Sequence, residues 1–175
     1  MQFSVGDNVV HPNYGPGRIA SVTQWEVKEE ARAYYVIEIP GQALTVYVPA
    51  LKADEVGVRP AMSQSRLEQV MRTLRSKPRR LPDDYKERQE QVNAEIKTGH
   101  VLELAKVVRD LTWHRERAHL TKIDADLLKE GWDLLAAEMA LVSGVDISDS
   151  SRLIGSTVDS AQAGFPREPS EPASH

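Results

Sequence analysis

Between Arg72 and Arg88 seven basic side chains, Arg72, Arg75, Lys77, Arg79, Arg80, Lys86 and Arg88, crowd around a proline-bounded linker, Lys77-Pro78-Arg79-Arg80-Leu81-Pro82. Cations at that density suit the oxygens of a phosphodiester backbone, and a solvated helix surface has the same composition. Tyr85 stands among them, just after Pro82-Asp83-Asp84. A planar ring at a helix start, beside cations that grip phosphates, can wedge between the base steps of a duplex. The same ring opens a helical stripe with Gln89, Val92 and Ile96, where it would instead be the first core residue.

A second set of residues suits protein contacts. Trp25, Tyr34 and Tyr47 are the aromatic types that dominate such interfaces. In Leu44-Thr45-Val46-Tyr47-Val48-Pro49 the aliphatic residues share one face of a strand, so Tyr47 points to the other. Trp25 has the parity of Ile19 and Val27, and it either closes the core or joins an exposed aromatic patch. An outward Tyr47 beside an unpaired edge strand would accept a partner's strand by β-augmentation.

Catalytic and metal chemistry find little support. His114, Glu116 and His119 miss the i, i+4 spacing that puts two histidines on one helix face for zinc, and no third ligand is evident. Gly15-x-Gly17 lacks the third glycine and following helix of a dinucleotide fingerprint, and there is no Walker lysine motif. Asp83 and Asp84 sit where helix caps belong. The chain has no cysteine, which removes disulfides and thiol chemistry. No nucleophile, base and oxyanion donor can be assembled, so a non-enzymatic protein without cofactor or metal is expected.

The elements that position these residues change character near residue 60. Val5-Gly6-Asp7-Asn8-Val9-Val10 and Gly17-Arg18-Ile19 flank a Pro/Asn/Gly turn. Tyr34–Ile39 and Leu44–Pro49 flank Pro40-Gly41, so two hairpins of a small, strongly bent antiparallel barrel are predicted. Gly15 and Gly17 supply the positive φ and close backbone approach that the first turn needs. After Arg59-Pro60 the period becomes helical. Leu67, Val70, Met71 and Leu74 mark one helix, capped by Ser65-x-x-Glu68, and Asp83 or Asp84 opens a second that ends at Thr98-Gly99. A third spans about Val101 to Arg117, and a fourth starts near Thr121-x-x-Asp124. Trp113 and Trp132 fall inside these patterns as packing residues. The expected organisation is a β module over 1–60, a helical module over 61–147 and a disordered Ser/Gly/Pro-rich tail over 148–175.

Charge is unevenly divided. The whole chain carries −4, but residues 66–122 hold 14 Lys/Arg against 9 Asp/Glu, and residues 123–175 hold 3 against 10. A cationic middle within an acidic chain is the footprint of a local phosphate-contacting face. No apolar run approaches the roughly 18 residues of a membrane span, and Met1-Gln2-Phe3-Ser4 does not open a signal peptide, so a cytoplasmic protein is expected.

Taken together, Val5-Gly6-Asp7-x-Val9-Val10-x-Pro12-x-x-Gly15, Leu44-Thr45-Val46-x-Val48-Pro49, Val56-Gly57-Val58-Arg59 and Val107-Val108-Arg109-Asp110-Leu111 resemble, in order and spacing, the CarD/CdnL family of bacterial transcription regulators. The resemblance covers roughly residues 1–145. It implies an α+β protein in which a Tudor-like barrel docks on the β subunit of RNA polymerase and an all-α module touches promoter DNA at the upstream edge of the melted bubble. On that basis Trp25, Val27, Tyr47 and Pro49 are expected to face the polymerase, and Arg79, Arg80, Tyr85, Lys86 and Arg88 the DNA. The protein would be a monomer that joins the nucleoid through the polymerase and stabilises the open promoter complex. Some members of the family place arginines at the positions of Trp25 and Tyr47. Members often carry tryptophan where this chain has Tyr85, and tryptophan directly after Asp-Leu, where Thr112 intervenes here. A small barrel of the KOW type in an RNA- or ribosome-associated protein is the alternative suggested by the Gly-Asp-x-Val and Gly-x-Gly spacing.

Overall fold

Alternating β-branched residues produce five strands: β1 (Asn8–His11), β2 (Gly15–Val27), β3 (Glu30–Ile39), β4 (Leu44–Pro49) and β5 (Arg59–Pro60). They form one antiparallel sheet in the order β4-β3-β2-β1-β5. The edge strands pair with β3 and β1 alone, so the expected barrel is a Tudor-like sheet that does not close. Its β5 edge is only two residues long and ends in Pro60, which has no N–H to extend a ladder.

The computed structural model describes residues 2–167. Two compact units divide the chain. The first joins the residues up to Gln64 to Ala137–Ser150; the second joins Ser65–Ala136 to the residues from Ser151 onward.

In the first unit the inward faces of the sheet bury Val9, Ile19, Tyr35, Ile37, Ile39 and Val48, with Phe3, Ala53 and Val58 completing the core. The Phe3 backbone N–H donates to the Tyr35 hydroxyl at 3.0 Å, so the phenol's polar end is satisfied inside. Two glycines make the first hairpin possible. Gly15 has φ +92°, which lets β2 turn back on β1. Gly17 lies so close to β3 that a Cβ there would sit 2.4 Å from the Glu38 carbonyl oxygen. A short helix, α1 (Ala53–Val56), leads to β5. The unit also includes Glu138, 1% exposed. Its carboxylate accepts from both terminal nitrogens of Arg59 at 2.8 and 2.9 Å and from the Met62 N–H at 2.9 Å. A carboxylate that far from water requires such pairing.

The second unit contains α2 (Gln64–Arg75) from Ser65 on, α3 (Tyr85–Lys97), α4 (Val101–Arg117), and the parts of α5 (Lys122–Ser143) and α6 (Ile147–Ala163) assigned to it. The predicted α5 cap is present: Thr121 Oγ1 accepts from the Asp124 N–H at 3.1 Å while the Thr121 N–H donates to the Asp124 carboxylate at 3.0 Å. The helix α6 corrects the expectation of a disordered tail from residue 148. Ile154 and Val158 are buried at i, i+4, and the Gln162 side-chain amide donates to the Arg109 carbonyl at 2.8 Å. Serines and glycine between those few apolar positions dilute the helical period to below recognition. Pro169 and Pro172, which also suggested disorder, lie outside the described residues.

Gly17→Ala should destabilise the first unit by about 1–3 kcal/mol or more, because the new methyl group meets backbone that cannot swing aside. Chemical denaturation followed by circular dichroism measures the loss.

Candidate functional site

Strand alternation and one bulge create an aromatic face on the first unit. The β2–β3 register slips between Ile19 and Ser21, so the residues beyond it reverse faces: Ile19 opposes buried Ile37, whereas Thr23 opposes Tyr34. Trp25 therefore leaves the core parity of Ile19 and lies outside, 43% exposed. Its ring centroid is 4.8 Å from that of Tyr34 and 4.9 Å from that of Tyr47, which is 48% exposed. Pro49 lies opposite Tyr34 and shares the outer parity of Tyr47, while Val27 follows Trp25 on the same face. Both are half-buried. The four residues expected to face a protein partner thus share one surface with Tyr34, the Trp25 ring lying between those of Tyr34 and Tyr47, and edge strand β4 alongside.

The second unit builds its exposed ring on buried charge. Asp110 of α4 is fully buried, and it accepts from the Arg79 backbone N–H at 3.0 Å, from Arg79 Nε at 2.7 Å and from Arg109 Nε at 2.7 Å. Arg79 also reaches Glu95 at 2.9 Å. Burial opposes the charge on Arg79, but Asp110 and Glu95 outweigh it and hold the guanidinium above its ordinary pKa. Asp124 of α5 likewise receives Arg88 through two bonds, Nε to Oδ1 at 3.1 Å and Nη2 to Oδ2 at 2.7 Å. Burial alone would raise the pKa of Asp124; hydrogen bonds from Arg88 and Thr121 hold it lower. Buried Arg88 and half-exposed Arg79 thus serve the linker itself. For Arg88 this corrects the expectation of a DNA contact, since only 3% of the residue reaches solvent.

Tyr85 is the first residue of α3, capped by Asp84, whose side chain accepts from the Lys86 N–H at 3.3 Å. It is 51% exposed, so the position it opened as a core stripe belongs instead to Arg88, Val92 and Ile96. The Lys86 ammonium stands 5.9 Å from the ring centroid. Asp83 beside it is bonded to Arg80 and Arg117, and both hold its carboxyl below the usual range. Lys77 and Arg80 of the linker are exposed, as is Lys86. Among the described residues no group of three or more His, Asp or Glu side chains is arranged to hold a metal ion, and no helix is long and apolar enough to cross a membrane.

Residues 3–62 match the CarD-like/TRCF RID domain, and residues 69–155 match the C-terminal domain of CarD. The chain belongs to the CarD family. A Bacillus subtilis (strain 168) protein named "Putative transcription factor YdeB" is 31% identical over 145 residues, 82% of this chain and 94% of that relative. This CarD-family chain is thus a transcription regulator, and the match of its helical half favours that reading over a KOW-type RNA- or ribosome-binding protein. The CarD C-terminal match runs to residue 155, past the α5–α6 turn and into α6, the segment whose helical period was too dilute to read.

The Arg79–Asp110 and Arg88–Asp124 ties were not foreseen. Asp110 sits inside the apolar run Val107-Val108-Arg109-Asp110-Leu111, and a carboxylate on a core-facing stripe signals a buried partner. Nothing in the sequence names which arginine supplies it.

Two outcomes follow from this arrangement. Tyr85→Ala should leave stability within about 0.5 kcal/mol, whereas Arg88→Ala should cost about 3–5 kcal/mol by stranding Asp124 without its partner; urea midpoints of the two variants separate these values. Stability should also fall as the pH is lowered. Burial holds His11 below its ordinary pKa, and His114 is lowered by burial and then by the charges of Arg88 and Arg117, with Asp124 and Asp83 opposing. His11 Nδ1 accepts from the Asn13 N–H at 3.1 Å, which requires that nitrogen unprotonated. The unfolded chain takes up these protons near pH 6.5 while the folded chain refuses them, so the urea midpoint should drop from about pH 7 to about pH 5.

Proposed function

We propose that this CarD-family chain docks on the β subunit of RNA polymerase through the Trp25–Tyr34–Tyr47 face and edge strand β4. There it stabilises the open promoter complex by presenting Tyr85 to the upstream edge of the melted bubble. The observation that carries the reading is the exposed Tyr85 ring at the start of α3, with the Lys86 ammonium 5.9 Å from its centroid and exposed Arg80 in the linker just before the helix. A helix N-terminus carries partial positive charge and unpaired N–H groups, so it approaches phosphates favourably. An inserted ring offsets part of the few kcal/mol needed to unstack a base step. Tyrosine offers less stacking surface than the indole common in the family, which makes a smaller wedge.

On the polymerase side, three aromatic rings in mutual contact through Trp25 form an apolar anchor, and the edge strand β4 supplies backbone groups for a partner strand. The chain acts by binding at both places, and no chemical step is needed. RNA polymerase and promoter DNA are its partners on this reading, and Val27 and Pro49 flank the aromatic anchor.

Tyr47→Ala should weaken binding to purified polymerase β by about 1–3 kcal/mol while the fold survives. Tyr85→Ala should leave that binding intact and shorten the half-life of the open complex; Tyr85→Trp should lengthen it. Pull-down affinities and competitor-challenged open-complex decay, measured on the same variants, test both halves. Unchanged decay with Tyr85→Ala would remove the wedge.

A further inference from the structure

Arg88 lies one helical turn after Tyr85 and is among the most buried charged residues of the chain. Its guanidinium spends every one of its nitrogens on named partners. Nε and Nη2 hold the two oxygens of Asp124, and Nη1 donates to the backbone carbonyls of Pro82 and Asp83, each at 3.1 Å. Those carbonyls belong to the residues that lead into α3, immediately before its cap Asp84. The side chain of Asp83 is held as well, by Arg117 from the end of α4. The chain entering α3 is thus fixed through its backbone by Arg88 and through a side chain by Arg117.

Half of Tyr85 is in solvent, and among the described residues the one cation set over its ring is Lys86, on its own helix. The direction in which the ring projects is therefore inherited from the backbone of residues 82–84. Resting on the wedge reading above, we infer that Arg88 is the positioning residue of Tyr85. Its ion pair with Asp124 sets where α3 begins, and so aims the ring, without Arg88 touching DNA. An arginine is required rather than any cation, because only a planar fork with five donors can satisfy one carboxylate twice and two carbonyls at once.

A double-mutant cycle separates positioning from mere stability. Arg88→Lys keeps the charge and loses the fork; Asp124→Glu keeps the pair and displaces it by one methylene. Each is made with Tyr85 intact and with Tyr85→Ala, and open-complex half-life, polymerase β binding and thermal midpoint are measured for all of them. The expected result is a half-life shortened by about threefold or more with Tyr85 present and unchanged in the Tyr85→Ala background. Polymerase binding should stay constant, and the drop in thermal midpoint should be the same in both backgrounds. A half-life loss equal in the two backgrounds, or absent from both, would overturn the positioning role while leaving the wedge standing. If Tyr85→Ala alone does not alter the half-life, the wedge reading fails first and takes this role with it.

Discussion

A carboxylate buried without a partner costs several kcal/mol, and the helical unit contains two, Asp110 and Asp124, each with essentially no contact with solvent. Each is satisfied by an arginine from outside its own helix, Arg79 from the linker and Arg88 from α3. The linker before α3 has few apolar side chains of its own; Pro78 and Leu81 are buried, Lys77 and Arg80 are exposed, and half-exposed Arg79 reaches in to Asp110. Charge pairing fixes the course that apolar packing alone would leave loose. A proline-rich segment that hydrophobic contacts hold weakly can still be placed well when its backbone N–H and carbonyl groups are bonded, as Arg79, Pro82 and Asp83 are. The exposed ring that follows is only as well placed as those bonds make it.

The sheet follows a different logic. Its core is built from inward β-branched residues, and what makes its outer face distinctive is a single irregularity in β2. Without the slip at Ile19–Ser21, Trp25 would stay in register with Ile19 and face the core, leaving Tyr34 and Tyr47 without the ring between them. The bulge shifts one residue and thereby moves every later side chain of β2 to the opposite face. Rings at 4.8 and 4.9 Å can brace one another, so much of the ordering that a flexible side chain would undergo on binding is done in advance.

The contrast shows where sequence is readable. Strands β3 and β4, their turn, and the outward Tyr47 follow from strict alternation, and α4 and the Thr121–Asp124 cap follow from period and local hydrogen bonding. These are short-range rules, which one chain segment states by itself. Trp25 was ambiguous because a bulge is set by pairing across strands and leaves no mark on β2 alone. Arg88 was misread because a surface arginine and a buried one look alike until Asp124, 36 positions away, is brought beside it. Helix α6 escaped because only Ile154, Val158 and Gln162 of its later turns are buried, too few to set a period against so much serine. The aromatic face was half legible and the linker's internal bonding was not, since the first depends on parity and the second on tertiary pairing.

The same pairing changes what the charge distribution means. Residues 66–122 carry an excess of five positive charges, yet Arg79, Arg88 and Arg109 are engaged with Asp110, Asp124 or Glu95 and are turned toward protein. Exposed cations in the linker and first turn of α3 include Lys77, Lys86 and Arg80, the last shared with Asp83, and the chain as a whole is anionic at −4. At physiological salt, screening over about 8 Å confines those cations to contacts they make directly. A molecule with that field has little long-range attraction for DNA, and three or so phosphate contacts give only a weak complex. On the proposed reading the deficit is supplied by the other interface. Docking on the polymerase converts a weak bimolecular encounter with DNA into an intramolecular one at an effective concentration in the millimolar range. A local, sparsely charged wedge is then sufficient, and a stronger basic surface would hold the protein to duplex DNA wherever it met it.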